Sequence, residues 1–167
     1  RSVPFLAACK ADVDNLGLIF GIGLESGGKS RFSISHFAML SRMMHHFFSS
    51  YLIDVIEEEF PNIYVVFAGG DDLFVLGPWS DIIYFGERLY DAFSRFTGSN
   101  PDVTLSAGIA LAKPGVPMRA IKNLAEEQLE FSKNRSFDDR SVKNAVSLFG
   151  VTCSWSELTR QLEKGEW

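Results

Sequence analysis

Apolar positions fall into blocks along this chain, and the spacing inside each block names an element. From Val3 to Val13 nearly every residue is apolar except Lys10 and Asp12, which predicts a buried strand ending in a turn at Asp14-Asn15-Leu16-Gly17. Glu25-Ser26-Gly27-Gly28-Lys29-Ser30 has loop composition. Phe37, Leu40, Met44, Phe47, Tyr51 and Val55 then recur at spacings of three and four. They predict a helix capped by Ser33 or Ser35 and stopped near Phe60, because Pro61 disfavours helical geometry in the residue before it. Two short apolar runs, Ile63 to Ala68 and Leu73 to Leu76, flank Gly69-Gly70 and read as a hairpin. A helix from about Ser80 to Phe96 follows, with Ile82, Ile83, Leu89, Tyr90, Phe93 and Phe96 on its stripe. Val103 to Ala112 reads as a strand, and Pro117 opens a helix carrying Ile121, Leu124, Ala125 and Leu129. Ala145 to Phe149 has the look of a further short strand, and Ser154 or Ser156 can cap a helix that begins at Trp155.

The order strand, helix, strand, strand, helix, strand predicts an α+β, ferredoxin-like (βαββαβ) palm domain with an antiparallel sheet and helices on one face, related to nucleotidyl cyclases. Residues 1–150 are expected to form it. Residues 151–167 are expected to start a following helical domain, since their apolar stripe is too small to be buried alone. With 167 residues and 46% hydrophobic content, one well-buried core is the expectation. Fifteen Phe residues and a mean hydropathy near zero exclude a disordered chain. No apolar run approaches the roughly 20 residues that cross a bilayer, and no signal-peptide pattern opens the chain. A soluble, cytoplasmic protein without a membrane partner is expected, as a segment of something longer. Cys9 and Cys153 are too isolated to form a disulfide framework or a zinc site and read as reduced, structural cysteines.

Charge sharpens the picture. The net charge of −5 opposes free-standing nucleic-acid binding, which requires a basic face. Between Arg42 and Arg88 there is no Lys or Arg, whereas Asp54, Glu57, Glu58, Glu59, Asp71, Asp72, Asp81 and Glu87 fall there. That half suits cations. In the expected sheet the third strand lies beside the first and antiparallel to it, so Asp12 meets Asp71 and Asp72. Asp12 and Asp14, two apart, would leave the strand end on one face. Such a cluster repels itself unless it holds a cation, and ligands that are all oxygen favour Mg²⁺ or Mn²⁺. These ions bind through one or two carboxylates plus substrate phosphates, so a nucleoside triphosphate is expected. Gly69-Gly70-Asp71-Asp72 alone is what an ordinary turn looks like; the matching Asp-Val-Asp across the sheet is what raises the metal reading. Asp14 is equally readable as a turn or capping residue. His45 and His46 point about 100° apart on a helix and cannot grip one metal together, so they read as surface residues, and His36 receives no role. Glu57-Glu58-Glu59 reads as a solvated face at a helix end.

At Ala11-Asp12-Val13-Asp14-Asn15-Leu16-Gly17, at Phe67-Ala68-Gly69-Gly70-Asp71-Asp72 and at Lys143-Asn144-Ala145-Val146-Ser147-Leu148-Phe149, the sequence resembles the second palm domain of the large subunit of type III CRISPR effector complexes. The resemblance covers nearly the whole chain. It implies condensation of ATP into cyclic oligoadenylates, as antiviral second messengers, when an assembled ribonucleoprotein with guide RNA holds a target RNA. It implies Asp12 and Asp71 as principal metal ligands, Asp72 assisting with the second metal or with proton removal, and Gly69 and Gly70 allowing close approach of the nucleotide. Lys133, by analogy with related cyclases, would meet the triphosphate, although it also suits a helix C-terminus complementing the dipole; Lys122 and Arg135 are weaker choices. The implied partners are ATP, the other subunits of the complex and a second palm domain of the same subunit. The rivals are a diguanylate cyclase, which usually has Glu-Phe where this chain has Asp72-Leu73 and needs an Arg shortly before the turn, a class III adenylyl cyclase, and a palm that binds nucleotide without turnover.

Overall fold

The structure is a computed structural model and describes residues 5–17, 25–26, 29–30, 34–134, 136–137, 140–141 and 143–165. Its centre is β1 (Leu6–Val13), flanked on one side by β5 (Asp72–Pro78) and on the other by β6 (Leu105–Ala112), both antiparallel to it. β4 (Tyr64–Gly69) closes the β5 edge, while β9 (Ala145–Leu148) and β10 (Val151–Ser154) extend the other side, giving the six-stranded order β10-β9-β6-β1-β5-β4. The expected hairpin and the expected place of the third strand beside the first are both met. Two-residue strands β2 (Glu25–Ser26) and β3 (Lys29–Ser30), and β7 (Ser136–Phe137) and β8 (Arg140–Ser141), form small separate ladders.

Helices α1 (Ile34–His46), α2 (Leu52–Glu59) and α3 (Trp79–Phe96) cover one face. Alternate β1 residues Ala7, Cys9, Ala11 and Val13 enter a core with Phe47, Phe48, Phe85 and Phe93. Burying each large apolar side chain there contributes about 1.5 to 3 kcal/mol. The predicted long helix is interrupted by a π-turn at Phe47–Tyr51. The adjacent Phe47 and Phe48 are both fully buried, meeting edge to face with centroids 5.0 Å apart, which neighbours 100° apart on a regular helix rarely achieve. The extra residue shifts the stripe. Phe37 and Tyr51, expected inside, are each 42% exposed, while Leu52 and Ile56 are buried.

Helix α4 (Met118–Lys133) lies on the other face, in contact with β6, β1 and β9. It buries Ile121 and Ala125 against Ala8, Phe74, Ala110 and Ala112. The expectation of helices on one face therefore holds for the βαββαβ core, and α4 is an addition to it. It forms the crossover between β6 and β9, which pair in parallel as such a connection requires. Leu124, placed on its stripe by sequence, is 42% exposed. Helix α5 (Trp155–Lys164) begins with a full capping box at Ser154 and Glu157. Trp155, Leu158 and Leu162 join the main core; the Trp155 ring stacks on Tyr90 at 4.8 Å and its indole N–H donates to the Leu105 carbonyl at 2.8 Å. Its small stripe is thus buried against the palm. Cys9 is buried and its thiol is pushed up to about 12 by desolvation, which makes it inert as a nucleophile. No helix among the described residues is long and apolar enough to cross a membrane.

Candidate metal and nucleotide site

The site forms where β1 ends beside the start of β5. Asp12 and Asp72 are register partners, so their side chains leave the same face, the one covered by α4. Gly70 turns the chain at φ +65°, a value that glycine reaches without strain, and Gly69 ends β4 paired with Asp72. The Val13 amide donates to the Asp71 carbonyl at 3.2 Å, tying the turn to the end of β1. Burial, followed by the charges of Asp12, Asp71 and Glu126, raises the Asp72 carboxyl above its ordinary value against the opposing pull of Lys10. Negative charge is crowded here, as the sequence anticipates.

Lys133, the last residue of α4, donates to Asp12 Oδ2. Burial works against its charge, but the hydrogen bond to Asp12 and the charges of Asp12, Asp14 and Glu130 outweigh it and raise its affinity for the proton. A second cation, Lys10, donates to Glu126. Among the described residues no three His, Cys, Asp or Glu side chains form a cage that could hold a metal unaided. The donor set instead fits a hard ion such as Mg²⁺ or Mn²⁺, held by one or two carboxylates and completed by phosphate oxygens and water.

Asp14 lies near enough for its charge to act on Lys133, but its carboxylate is bound into the fold. It is 1% exposed, and its Oδ2 accepts from Thr104 Oγ1 at 2.8 Å, Ser106 Oγ at 3.0 Å and the Asn144 amide at 3.0 Å. Lys143 Nζ donates to Asn15 Oδ1 at 2.8 Å. The Lys143-Asn144 motif therefore clamps the turn after β1, a role the sequence did not assign. Asp14 Oδ1 and Asn144 Oδ1 are buried without a donor among the described residues, an arrangement that costs free energy unless a group beyond those residues reaches them.

Beside Asp72 a cleft of about 500 Å³ opens between the uncovered part of the sheet and the start of α4. Phe67 and Phe74 supply apolar wall, and Lys10, Arg119 and Lys122 supply positive charge. Such a volume suits a nucleotide-sized ligand. Lys122, a weak choice by sequence, borders this cleft, and Arg119 was not anticipated; Arg135 lies outside the described residues. His46 is exposed as expected. His45 is also exposed, but it is more than a surface residue, since its Nδ1 accepts from the Gly70 amide at 3.4 Å.

The fold and the carboxylates at its sheet end define a palm domain. Residues 5–146 match the model of the Cas10/Cmr2 second palm domain, and the chain belongs to that family. It is 37% identical over 163 residues to the Cas10/Csm1 (subtype III-A) CRISPR system single-strand-specific deoxyribonuclease of Methanocaldococcus jannaschii, covering 87% of this chain and 20% of that protein. The protein of the same name from Enterococcus italicus is 32% identical over 162 residues, covering 97% of this chain and 20% of its own length. The chain thus spans about a fifth of the length of these relatives. Among solved structures, a Csm1–Csm4 subcomplex of the type III-A CRISPR-Csm interference complex superposes with a TM-score of 0.76 at 26% identity, over 97% of this chain and 24% of the other. A Csm1–Csm4 cassette in complex with cA4 gives 0.76 at 25% identity, over 97% and 25%. A cassette in complex with one ATP gives 0.74 at 26%, over 95% and 24%.

Proposed function

We propose that this palm is the nucleotidyltransferase centre of a type III CRISPR effector subunit and joins ATP into cyclic oligoadenylates. The observation that carries this reading is the pairing of Asp12 with Asp72 across adjacent strands, with Asp71 in the turn and Lys133 against Asp12. The Csm1–Csm4 structures in complex with cA4 and with ATP support the choice of adenine nucleotide. One or two carboxylates drawn from Asp12, Asp71 and Asp72, completed by phosphate oxygens and water, would hold Mg²⁺ or Mn²⁺, which when bound would activate the ribose 3′-hydroxyl and offset charge on the α-phosphate and the departing pyrophosphate. Asp14 would serve behind them, fixing the turn that orients Asp12. Lys133 and Lys10 would take the triphosphate, Lys133 exchanging its Asp12 partner for phosphate oxygens. Arg119 and Lys122 would flank the nucleotide in the cleft, with the base against Phe67 and Phe74, and the absence of a side chain at Gly69 and Gly70 would let backbone approach it. Asp72, whose carboxyl is raised first by burial and then by the charges of Asp12, Asp71 and Glu126, would accept the hydroxyl proton. No side chain of the protein need act as nucleophile.

The test is incubation of the full-length subunit, assembled with its partner subunits, guide RNA and target RNA, with labelled ATP or GTP and Mn²⁺ or Mg²⁺. Adenylate oligomers and pyrophosphate are expected from ATP. Asp71→Asn with Asp72→Asn should lower product by at least about 100-fold while leaving assembly intact, because neither acid builds the core. Consumption of GTP instead would indicate a diguanylate-type enzyme, and parental turnover in the double variant would overturn the site.

A further inference from the structure

The turn that carries Asp71 and Asp72 is held from two sides. On one side the Val13 amide donates to the Asp71 carbonyl at 3.2 Å. On the other, the Gly70 amide donates to His45 Nδ1 at 3.4 Å, and the same imidazole lies against Gly69, with ring atoms 3.5 and 3.6 Å from where a Cβ would stand. We propose that His45 is a positioning residue for this turn, acting through the Gly70 amide to fix where Asp71 and Asp72 stand; the inference rests on the nucleotidyltransferase reading of the site.

Local structure around His45 is specialised for the contact. It sits one residue before the end of α1, and the π-turn at Phe47–Tyr51 follows at once. Ser49 Oγ, in the π-turn, donates to the His45 carbonyl at 2.6 Å, linking the end of α1 to that turn. The π-turn sends both Phe47 and Phe48 into the core while the preceding turn of helix keeps His45 on the exposed side, facing the hairpin. Single π-turns inside helices frequently accompany functional sites, and here the one found among the described residues adjoins the acidic turn.

The chemistry defines what His45 must be. Nδ1 accepts a hydrogen bond only through its lone pair, so this arrangement needs the ring hydrogen on Nε2. Gly70 is exposed and in the left-handed region, and Asp71 is the half-buried second residue of a two-residue loop, so Gly69 and Gly70 give the turn no side-chain packing of their own. Releasing one anchor lets the loop rock, and displacements near 1 Å in reacting groups are costly in rate. The exposed Gly70 amide can bond to water instead, so global stability changes little.

The experiment compares the full-length subunit, in its assembled complex, as parent, His45→Ala, His45→Asn and the Asp71→Asn/Asp72→Asn control. ATP turnover and hydrogen–deuterium exchange of segment 69–72 are both read. For His45→Ala, kcat is expected to fall about tenfold, the effect of roughly one hydrogen bond, with KM for ATP within about twofold, and exchange at Gly70 is expected to speed up. In His45→Asn, Oδ1 stands close to the position of Nδ1, so rate and protection both return. Parental turnover and parental exchange in His45→Ala overturn the proposal, as does equal impairment of the Ala and Asn variants, which would point to ring packing alone. If the Asp71→Asn/Asp72→Asn control turns over like the parent, the reading of the site fails, while the exchange data still decide whether His45 anchors the turn.

Discussion

Glu57, Glu58 and Glu59 end α2 with charges of the wrong sign for its dipole, and the neighbouring helix offsets part of that. Arg88 of α3 grips Glu59 through Nε at 2.9 Å and Nη2 at 2.8 Å and reaches Asp91 at 3.5 Å. The hydrogen bond to Arg88 holds the Glu59 carboxyl below its ordinary value, against a small opposing effect of burial. Because the folded value is depressed, the unfolded chain binds the proton more readily. The pair's stabilisation is therefore present above the unfolded value of about 4.3 and is lost as pH falls through the lower folded one. Glu59→Gln should melt about 1 °C below the parent at pH 7, a small gap because the pair is exposed, and by less at about pH 3. An equal gap at both pH values would mean that packing, not charge, is responsible. Asp12, Asp71 and Asp72 were legible in the sequence because strand order and register depend on periodicity, which side-chain detail does not disturb. Asp14 was not, because its role depends on Thr104, Ser106 and Asn144, which lie about 90 to 130 residues away in sequence. Residue spacing bears on His45 only as a metal ligand beside His46, and a hydrogen bond to a backbone amide leaves no mark on it.

Among the elements, α4 does the most to position charge, since it brings Lys133 to Asp12 and Glu126 to Lys10. It reaches the sheet this closely at Gly108, where a Cβ would stand 2.1 Å from the Leu129 nitrogen and 2.5 Å from the Ala125 oxygen. Those are backbone atoms and cannot rotate away. Gly108→Ala is therefore expected to lift α4 from β6 at a cost of about 3 kcal/mol and to weaken ATP binding through the displaced Lys133, as read by denaturant titration and by nucleotide-dependent melting. A denaturation midpoint equal to the parent's would contradict the close approach. The apolar stripe of α4 was visible in the sequence, but a stripe does not say which face of a sheet it will cover. The π-turn escaped for a related reason: six apolar residues fit a regular period well enough to mask one inserted residue.

At the scale of the whole molecule, the order of elements fixed the central sheet, whereas the way α5 closes over it rests on the stacking of Trp155 on Tyr90, a contact between residues far apart in sequence. The uncovered part of the sheet bears on mechanism. β4 is an edge strand, and the rim of the cleft beside Asp72 exposes Val66 by 39%, Phe67 by 53% and Met118 by 42%. Joining two nucleotides requires the acceptor hydroxyl within about 3 to 3.5 Å of the donor α-phosphorus and in line with the leaving group. On the proposed reading the cleft of about 500 Å³ beside Asp72 would take one nucleotide, and the side chains of Val66, Phe67 and Met118 on its rim would give a second one no charged hold. A facing domain that covers this rim would both bury it and seat the acceptor. Residues 1–167 alone are therefore expected to bind ATP with Mn²⁺, seen as a rise in melting temperature by mass action that is lost with a chelator. Their turnover per site should nonetheless lie at least about 100-fold below that of the full-length subunit in its assembled complex with target RNA, because positioning effects of that size follow from loss of alignment. Turnover is to be compared per site at equal ATP and metal, with sedimentation run alongside to establish that the short chain is monomeric. A monomer that matched the complex would show that one palm suffices to hold both nucleotides, and the second nucleotide would then have to be sought on this chain's own surface.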